Sequence, residues 1–268
     1  MCVPWAQRYQ KGTPCMMGTF NKPVVCPILI GRTDEIAVFH KLIAEAKSSK
    51  GQVILLCGEA SIGKSRLVAE LKTEAATLGF QSLQGHCFPP DGSCPYTPLP
   101  DVLRPVFLHT SAAQFAMSVD AFACALAPLL PEIPLLFPEQ ACLPPLPPLG
   151  HEQEKRRLFA ALACFFSTRA AAHPLLLIME DMHWSDDTSL EFVQYLGRHC
   201  ARQPLTVLLT YRSDEIGPSL RHWLAQMDRE RLAQEIALTH LTRSESGAML
   251  QATLKLKRPM PACSPVCC

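Results

Sequence analysis

The run QVILLC at residues 52–57, leading directly into GEASIGKSRL at 58–67, restricts this chain more than any other feature. A continuous apolar run between Gly51 and Gly58 suits a strand buried on both faces, because a strand with one wet face would alternate. Behind the glycine-rich turn, Leu67, Leu71, Ala75 and Leu78 recur at helical spacing. The local order is therefore strand, tight loop, helix. Gly58, Gly63, Lys64 and Ser65 satisfy G-x-x-x-x-G-K-[ST]. The glycines allow backbone conformations closed to other residues, so that successive N–H groups turn inward as an anion nest. A helix starting at Gly63 adds its free N–H groups and the positive end of its dipole at the same point. A lysine in that first turn is misplaced by a few tenths to about 1 kcal/mol unless an anion sits there. Chance produces the pattern in roughly one chain in a hundred of this length, and the strand-to-helix setting lowers that further.

The loop residues Gly58, Glu59, Ala60, Ser61, Ile62, Gly63, Lys64, Ser65 and Arg66 are therefore read as a phosphate cradle. Lys64 would reach the β- and γ-phosphates, and the Ser65 hydroxyl would take one Mg²⁺ position.

Elsewhere the chain alternates. GRTDEIAVFHKLIAEA places Ile36, Phe39, Ile43 and Ala46 on one helical face, with Thr33 able to cap and Asp34 and Glu35 in the first turn. FQSLQGHC reads as a second strand, and a helix is expected over 152–172 with Leu158, Leu162, Phe165 and Phe166 facing one way. PLLLIMED follows as a buried strand, then a helix around Leu190, Val193 and Leu196, then the strands PLTVLLTYR and EIALTHL. This alternation predicts an α/β fold, a parallel sheet of about five strands with helices on both faces.

Residues 88–150 break the pattern. They hold more than half of the 24 prolines and read as a proline-rich insertion in which no long helix fits. Residues 1–27 show no period and read as a poorly ordered leader. Thr242 and Glu245 stand at capping-box spacing and open a last helix, after which 255–268 lose all pattern. The expected organisation is a domain over 28–241 followed by the start of a truncated helical lid and a disordered tail at 242–268.

Thirteen scattered cysteines, no secretory leader and no Cys-x-x-Cys pair argue for reduced thiols and a cytoplasmic setting rather than a disulfide framework or a zinc site. Cys57, Cys164 and Cys200 fall inside apolar or helical patterns and are expected in the core. A formal net charge of +1 with no basic stripe argues against direct nucleic-acid binding, and no uninterrupted apolar run is long enough to span a membrane.

The run LLLIMED ends in Glu180 and Asp181. At a strand end beside a phosphate loop, one carboxylate can hold Mg²⁺ through water while the other orients the attacking water. Together with GRTDE, the loop GEASIGKSRL, the continuation MHWSDDTSLEF and LLTYRSDE, this strand resembles the AAA-type ATPase module of the STAND class. The module is similar to that of large LuxR-type (MalT-like) transcriptional regulators and multidomain adenylate cyclases, and the resemblance runs from about Ile28 to Leu250. It implies a three-layer P-loop NTPase sandwich, with Gly31 and Arg32 near the adenine and Glu180 and Asp181 as the Walker B acids. Glu180 would be the residue on Mg²⁺, and Arg212 would be a sensor of the γ-phosphate. The acid order here is Glu-Asp, whereas the commoner order ends in glutamate.

The expected cofactors are ATP and Mg²⁺. The expected function is an ATP-binding, slowly hydrolysing switch module of a signalling or transcriptional regulator, with protein partners or a homo-oligomer in the ATP state. Two other readings stay open on these residues: a nonhydrolysing nucleotide-binding scaffold and an inactive fragment. A small-molecule kinase shares the loop, but the paired acids and HWSD disfavour it. His183 and Trp184 are expected to pack at the strand exit, and Tyr96 to be structural.

Overall fold

A computed structural model describes residues 26–89, 95–108, 126, 129–130 and 149–254. Nearly all of the expected leader, the centre of the proline-rich segment and the tail after Leu254 lie outside the described residues.

Residues 31–241 form one compact unit. Its five strands are β1 (Gln52–Gly58), β2 (Gln81–His86), β3 (Leu175–Glu180), β4 (Leu205–Arg212) and β5 (Ala233–Ala237). They pair in parallel in the order β2-β3-β4-β1-β5. All of β3 is buried, as is all of β4 up to Arg212, which is why these strands read as unbroken apolar runs. The edge strands β2 and β5 are wetter and less regular in sequence.

The sheet is covered on both sides. Val53, Leu55, Leu177, Met179, Val207 and Leu209 join one core with α3 (Pro98–Leu108), α4 (His151–Ala172), α5 (Asp187–Cys200) and α6 (Pro218–Arg229). The alternate residues Ile54, Leu56, Leu176, Ile178 and Leu208 are equally buried but lie outside that core. The buried faces of α1 (Thr33–Lys47) and α2 (Lys64–Thr77) lie outside it too, and both helices contact the strands. This is the expected three-layer α/β architecture, and opposite-pointing side chains along each strand explain it.

Several local expectations change. Thr33 does not cap α1. It is the first helical residue, and the N-cap is Arg32, in the left-handed region with φ 73° and no side-chain cap. The inner face of α1 is completed by Leu42, which is buried, whereas Ile36 in the first turn is only half-buried. In α2 the fourth inward residue is Val68, because Leu78 lies beyond the helix end and is exposed. Cys57 and Cys200 are buried, but Cys164 is exposed, on the outer side of α4.

Two helices were not anticipated. α3 arises within the proline-rich segment: Pro98 opens the helix, where no backbone N–H is needed. It then buries Leu99, Val102, Leu103, Val106 and Phe107. Gly85 of β2 lets it approach closely, since a Cβ there would stand 2.2 Å from the Pro98 carbonyl oxygen. α6 also starts with its proline, Pro218, and buries Leu220, Trp223 and Met227.

A second unit takes in the remaining residues, among which α7 (Arg243–Leu254) is described. The capping box forms there: the Thr242 N–H donates to Glu245 Oε2 at 2.7 Å and the Glu245 N–H to Thr242 Oγ1 at 3.3 Å. Among the described residues no helix is long and apolar enough to cross a membrane.

Candidate functional site

Parallel pairing places the carboxyl ends of the strands along one edge. Gly58 of β1 stands opposite Arg212 of β4, and His86 of β2 opposite Glu180 of β3. Open parallel sheets form their crevices at such edges.

The loop from Gly58 to Gly63 rises from β1 into α2. Gly58 has φ 157°, Ser61 60° and Gly63 103°. Gly63 is the N-cap of α2 and supplies no side-chain cap, so the first N–H groups of the helix keep no side-chain acceptor at that position. No acid occupies the first turn, which instead holds Lys64. Lys64 is only 8% exposed, and its Nζ donates to the Gly58 and Glu59 carbonyl oxygens at 2.7 and 2.8 Å. Burial, then the nearby Arg212 guanidinium, pulls the ammonium below its ordinary pKa, with Asp181 and Asp214 opposing. A bound anion would favour the charged form and so oppose both causes.

The rest of the loop divides into a crest and its supports. Glu59, Ala60 and Ser61 are exposed, and Glu59 Oε2 lies 3.6 Å from His240 Nε2. Ile62 is tied from behind, where Arg32 Nη2 donates to its carbonyl oxygen at 3.1 Å. The Arg32 Nη1 meets Glu35 Oε1 at 3.1 Å. Arg32 therefore braces the loop, and Gly31 beside it has φ 68°. Arg66 pairs with Glu70 along the helix at 3.6 Å.

Opposite the loop, β3 delivers Glu180, only 5% exposed. Ser65 Oγ donates to Glu180 Oε2 at 2.9 Å, and Gln84 Nε2 to Glu180 Oε1 at 2.6 Å. His86 Nε2 is 3.4 Å from Oε1. The two residues read from sequence as Mg²⁺ positions thus touch across 115 residues of chain. Mg²⁺ keeps several waters and needs only one or two protein oxygens, so this hydroxyl and carboxylate fit it. Among the described residues no cluster of three His, Cys, Asp or Glu side chains has metal-holding geometry.

The chain leaves β3 through Asp181, in the left-handed region at φ 61°. Its N–H donates to Thr210 Oγ1 of β4 at 3.0 Å, which anchors this unusual backbone. A 3₁₀ turn, Met182–Trp184, follows, and then Asp186, whose Oδ1 accepts from the Ser189 N–H at 2.9 Å and caps α5. Asp186 Oδ2 accepts from the Tyr96 N–H at 3.0 Å, so Tyr96 is held structurally.

Arg212 ends β4. Its guanidinium pairs with Glu215 and lies over the Trp184 ring, 5.2 Å from the centroid. The Glu215 hydrogen bond raises its pKa. The structure thus draws Lys64, Ser65, Glu180, Asp181 and Arg212 to one edge of the sheet. Gln84 and Thr210 were not anticipated. For Thr210 the signal was a polar side chain inside an otherwise apolar strand, whereas Gln84 stands in a largely polar one.

The sequence matches the AAA ATPase domain family over residues 28–209. It is 26% identical over 215 residues to an uncharacterized protein of Rhizobium meliloti (strain 1021), an alignment covering 76% of this chain. The chain spans 20% of the length of that curated relative. Among solved structures it is similar to Cdc6p from Pyrobaculum aerophilum, with TM-score 0.49 and 13% identity, over 87% of this chain and 52% of that one. It is also similar to a STAND protein with a tetratricopeptide repeat sensor from Pyrococcus horikoshii, with TM-score 0.38 and 13% identity, over 88% and 27%. The family match takes in the Gly31–Arg32 pair, the glycine-rich loop, the Glu180–Asp181 strand and most of β4, and the chain therefore belongs to the AAA ATPase domain family.

Proposed function

We propose that this chain binds ATP with Mg²⁺ and works as a STAND-type switch module, in which nucleotide binding matters more than turnover. The contact that carries the reading is Ser65 Oγ to Glu180 Oε2 at 2.9 Å, made beside a helix N-terminus that has no side-chain cap. A hydroxyl and a buried carboxylate meeting there suit a phosphate-bound divalent ion better than a structural role alone.

Each residue then has a task. Lys64 exchanges the Gly58 and Glu59 carbonyls for phosphate oxygens. The N–H groups of residues 59–65 surround the phosphates. Ser65, and Glu180 through water, would hold Mg²⁺, which when bound offsets phosphate charge. Asp181 orients the attacking water, and Arg212 leaves Glu215 to read the γ-phosphate. Arg32, with Gly31, braces the loop beside the adenine. Without an arginine supplied from outside, turnover stays slow, since that element contributes about 10³ to 10⁵ in rate where it operates.

The output is proposed to be signalling or transcriptional control exerted through protein partners or self-association in the ATP state, with no direct nucleic-acid contact by this chain. Calorimetric titration of ATP with Mg²⁺ tests the reading, with Lys64→Ala run beside it. Saturable binding lost in the variant is the expected result, with phosphate release below about 10⁻² s⁻¹. No binding to folded wild-type chain would sink it. Tight binding with no release at all would favour the nonhydrolysing scaffold.

A further inference from the structure

Between α5 and α6 lies a cavity of about 470 Å³, lined by residues of both helices. Its volume is that of a small-molecule site. None of its lining residues has a part in the nucleotide scheme above.

The two helices bring opposite polarities to it. On α5, Asp187 and Glu191 stand one turn apart and both line the cavity. Glu191 shares its charge with Lys155, whose Nζ is 2.8 Å from Oε2. Asp187 is exposed and, among the described residues, has no ion-pair or hydrogen-bond partner. On α6 the first two residues, Pro218 and Ser219, line the cavity. Gly217, the N-cap, gives no side-chain cap, and the first turn holds no acid. Pro218 has no N–H to offer, and the Arg221 N–H already donates to the Gly217 carbonyl oxygen at 3.0 Å. The N–H groups of Ser219 and Leu220 are therefore the free donors at the positive end of this helix.

The floor adds an independent sign of a missing ligand. Trp223 lines the cavity one turn further along α6 and is only 4% exposed, yet its Nε1 is buried and has no hydrogen-bond partner. Buried donors are almost always paired, so this indole N–H stands short of an acceptor. Leu190, buried on α5, lines the cavity beside it with hydrocarbon. An anion alone would meet the two carboxylates, and a cation alone would meet the helix N-terminus. A small zwitterion satisfies both.

We propose that the cavity between α5 and α6 binds a free α-amino acid with an apolar side chain. Asp187 and Glu191 take its ammonium, the Ser219 and Leu220 N–H groups and the Trp223 indole take its carboxylate, and Leu190 with the indole ring takes its hydrocarbon. The site owes nothing to the ATP reading and stands if that reading fails.

The test is calorimetric titration of the full chain, without nucleotide, with leucine and with phenylalanine. Beside them run leucinamide, which lacks the carboxylate, and isocaproate, which lacks the ammonium. At least one of the two amino acids should bind saturably with Kd below about 1 mM. Leucinamide and isocaproate should each bind at least about tenfold more weakly than leucine, because each leaves one set of polar groups unanswered. Asp187→Asn, at an exposed position, should weaken leucine at least about fivefold and leave isocaproate unchanged. Trp223→Phe keeps the ring and removes the N–H, and it should weaken leucine by about the same factor while leaving leucinamide unchanged. Melting curves establish that both variants are folded, and Asp187→Asn decides the matter alone if Trp223→Phe is not. Failure of both amino acids to saturate folded wild-type chain overturns the proposal. Leucinamide and isocaproate binding as tightly as leucine overturns it too, since the cavity would then be only an apolar hole. So does an Asp187→Asn chain that binds leucine as wild type does.

Discussion

On the β1 side of the cleft, Lys64 and Arg32 are fastened to the loop backbone; on the β3 and β4 side, Glu180 and Arg212 are fastened to other side chains. Lys64 donates to the carbonyls of Gly58 and Glu59, and Arg32 to that of Ile62. Across the cleft, Glu180 is held by Ser65 and Gln84, and Arg212 by Glu215 and the Trp184 ring. A wall built on backbone depends on the path of the chain and tolerates few backbone changes. A wall built from paired side chains can exchange partners when a ligand arrives, and it loses that ability one residue at a time.

The comparison is broken most directly at Gly58. A Cβ there would stand 2.9 Å from Ile62 Cγ2 and 3.2 Å from both the Leu238 Cβ and its carbonyl oxygen. Ile62 can shift, but the Leu238 backbone is fixed, since its N–H donates to the Cys57 carbonyl at 2.8 Å. Gly58→Ala should lower stability by about 2–3 kcal/mol in urea unfolding, in the range of overpacking in a close-packed interior. Gly63→Ala offers a control. Nothing lies within 4 Å of its would-be Cβ, so only the φ of 103° opposes substitution, at about 1 kcal/mol. Equal losses in the two variants would mean that the loop is held by φ alone, and the contrast between the walls would fail on this side.

The next largest effect belongs to Thr210. Thr210→Val keeps the shape but removes the acceptor of the Asp181 N–H, leaving a donor unsatisfied where the backbone is already left-handed. The expected loss is about 1–2 kcal/mol, read by urea unfolding. A loss near zero would show that the turn into residues 182–184 is kept by packing of Met182 and needs no anchor from β4.

These two positions also show what can be read from the chain without its fold. The loop was legible because its residues are consecutive and each glycine answers a local backbone need. The strands β1, β3 and β4 were legible because burial on both faces leaves an apolar run. α6 escaped notice because only Leu220, Trp223 and Met227 mark its inner face among polar residues. α3 escaped because its prolines read as turn signals, although Pro98 sits at a position that needs no N–H. Thr210, Gln84 and the brace from Arg32 to Ile62 join residues 29 to 96 positions apart. Such contacts are set by strand order, and strand order leaves no local pattern.

The side-chain wall is sharpened by Glu180→Gln. The amide keeps the size of the acid and can still meet Ser65 and Gln84, but it lacks the charge that a divalent ion needs. In titrations at varied Mg²⁺, the variant should need about tenfold more Mg²⁺ to reach the same ATP affinity, a typical size for an outer-shell partner of a metal. Its affinity for ATP without Mg²⁺ should be unchanged. Equal weakening with and without Mg²⁺ would point to a collapsed loop and so to dependence of one wall on the other.

The smallest expected signal is optical, and it asks whether the second wall moves while the first stays still. Trp184 is half-buried, with the Arg212 guanidinium 5.2 Å from its ring centroid. A cation over an indole perturbs its emission, so withdrawal of Arg212 toward a γ-phosphate should change Trp184 fluorescence when ATP binds. ADP engages the loop but gives Arg212 nothing to reach, so emission should stay as in the free chain. Trp184→Phe should abolish the ATP response while Trp223, on the buried face of α6, continues to report the fold. A response of the same size with ADP would mean that closing of the loop alone disturbs the indole. The two walls would then be one rigid body, and partner exchange at Arg212 would no longer explain how a triphosphate is told from a diphosphate.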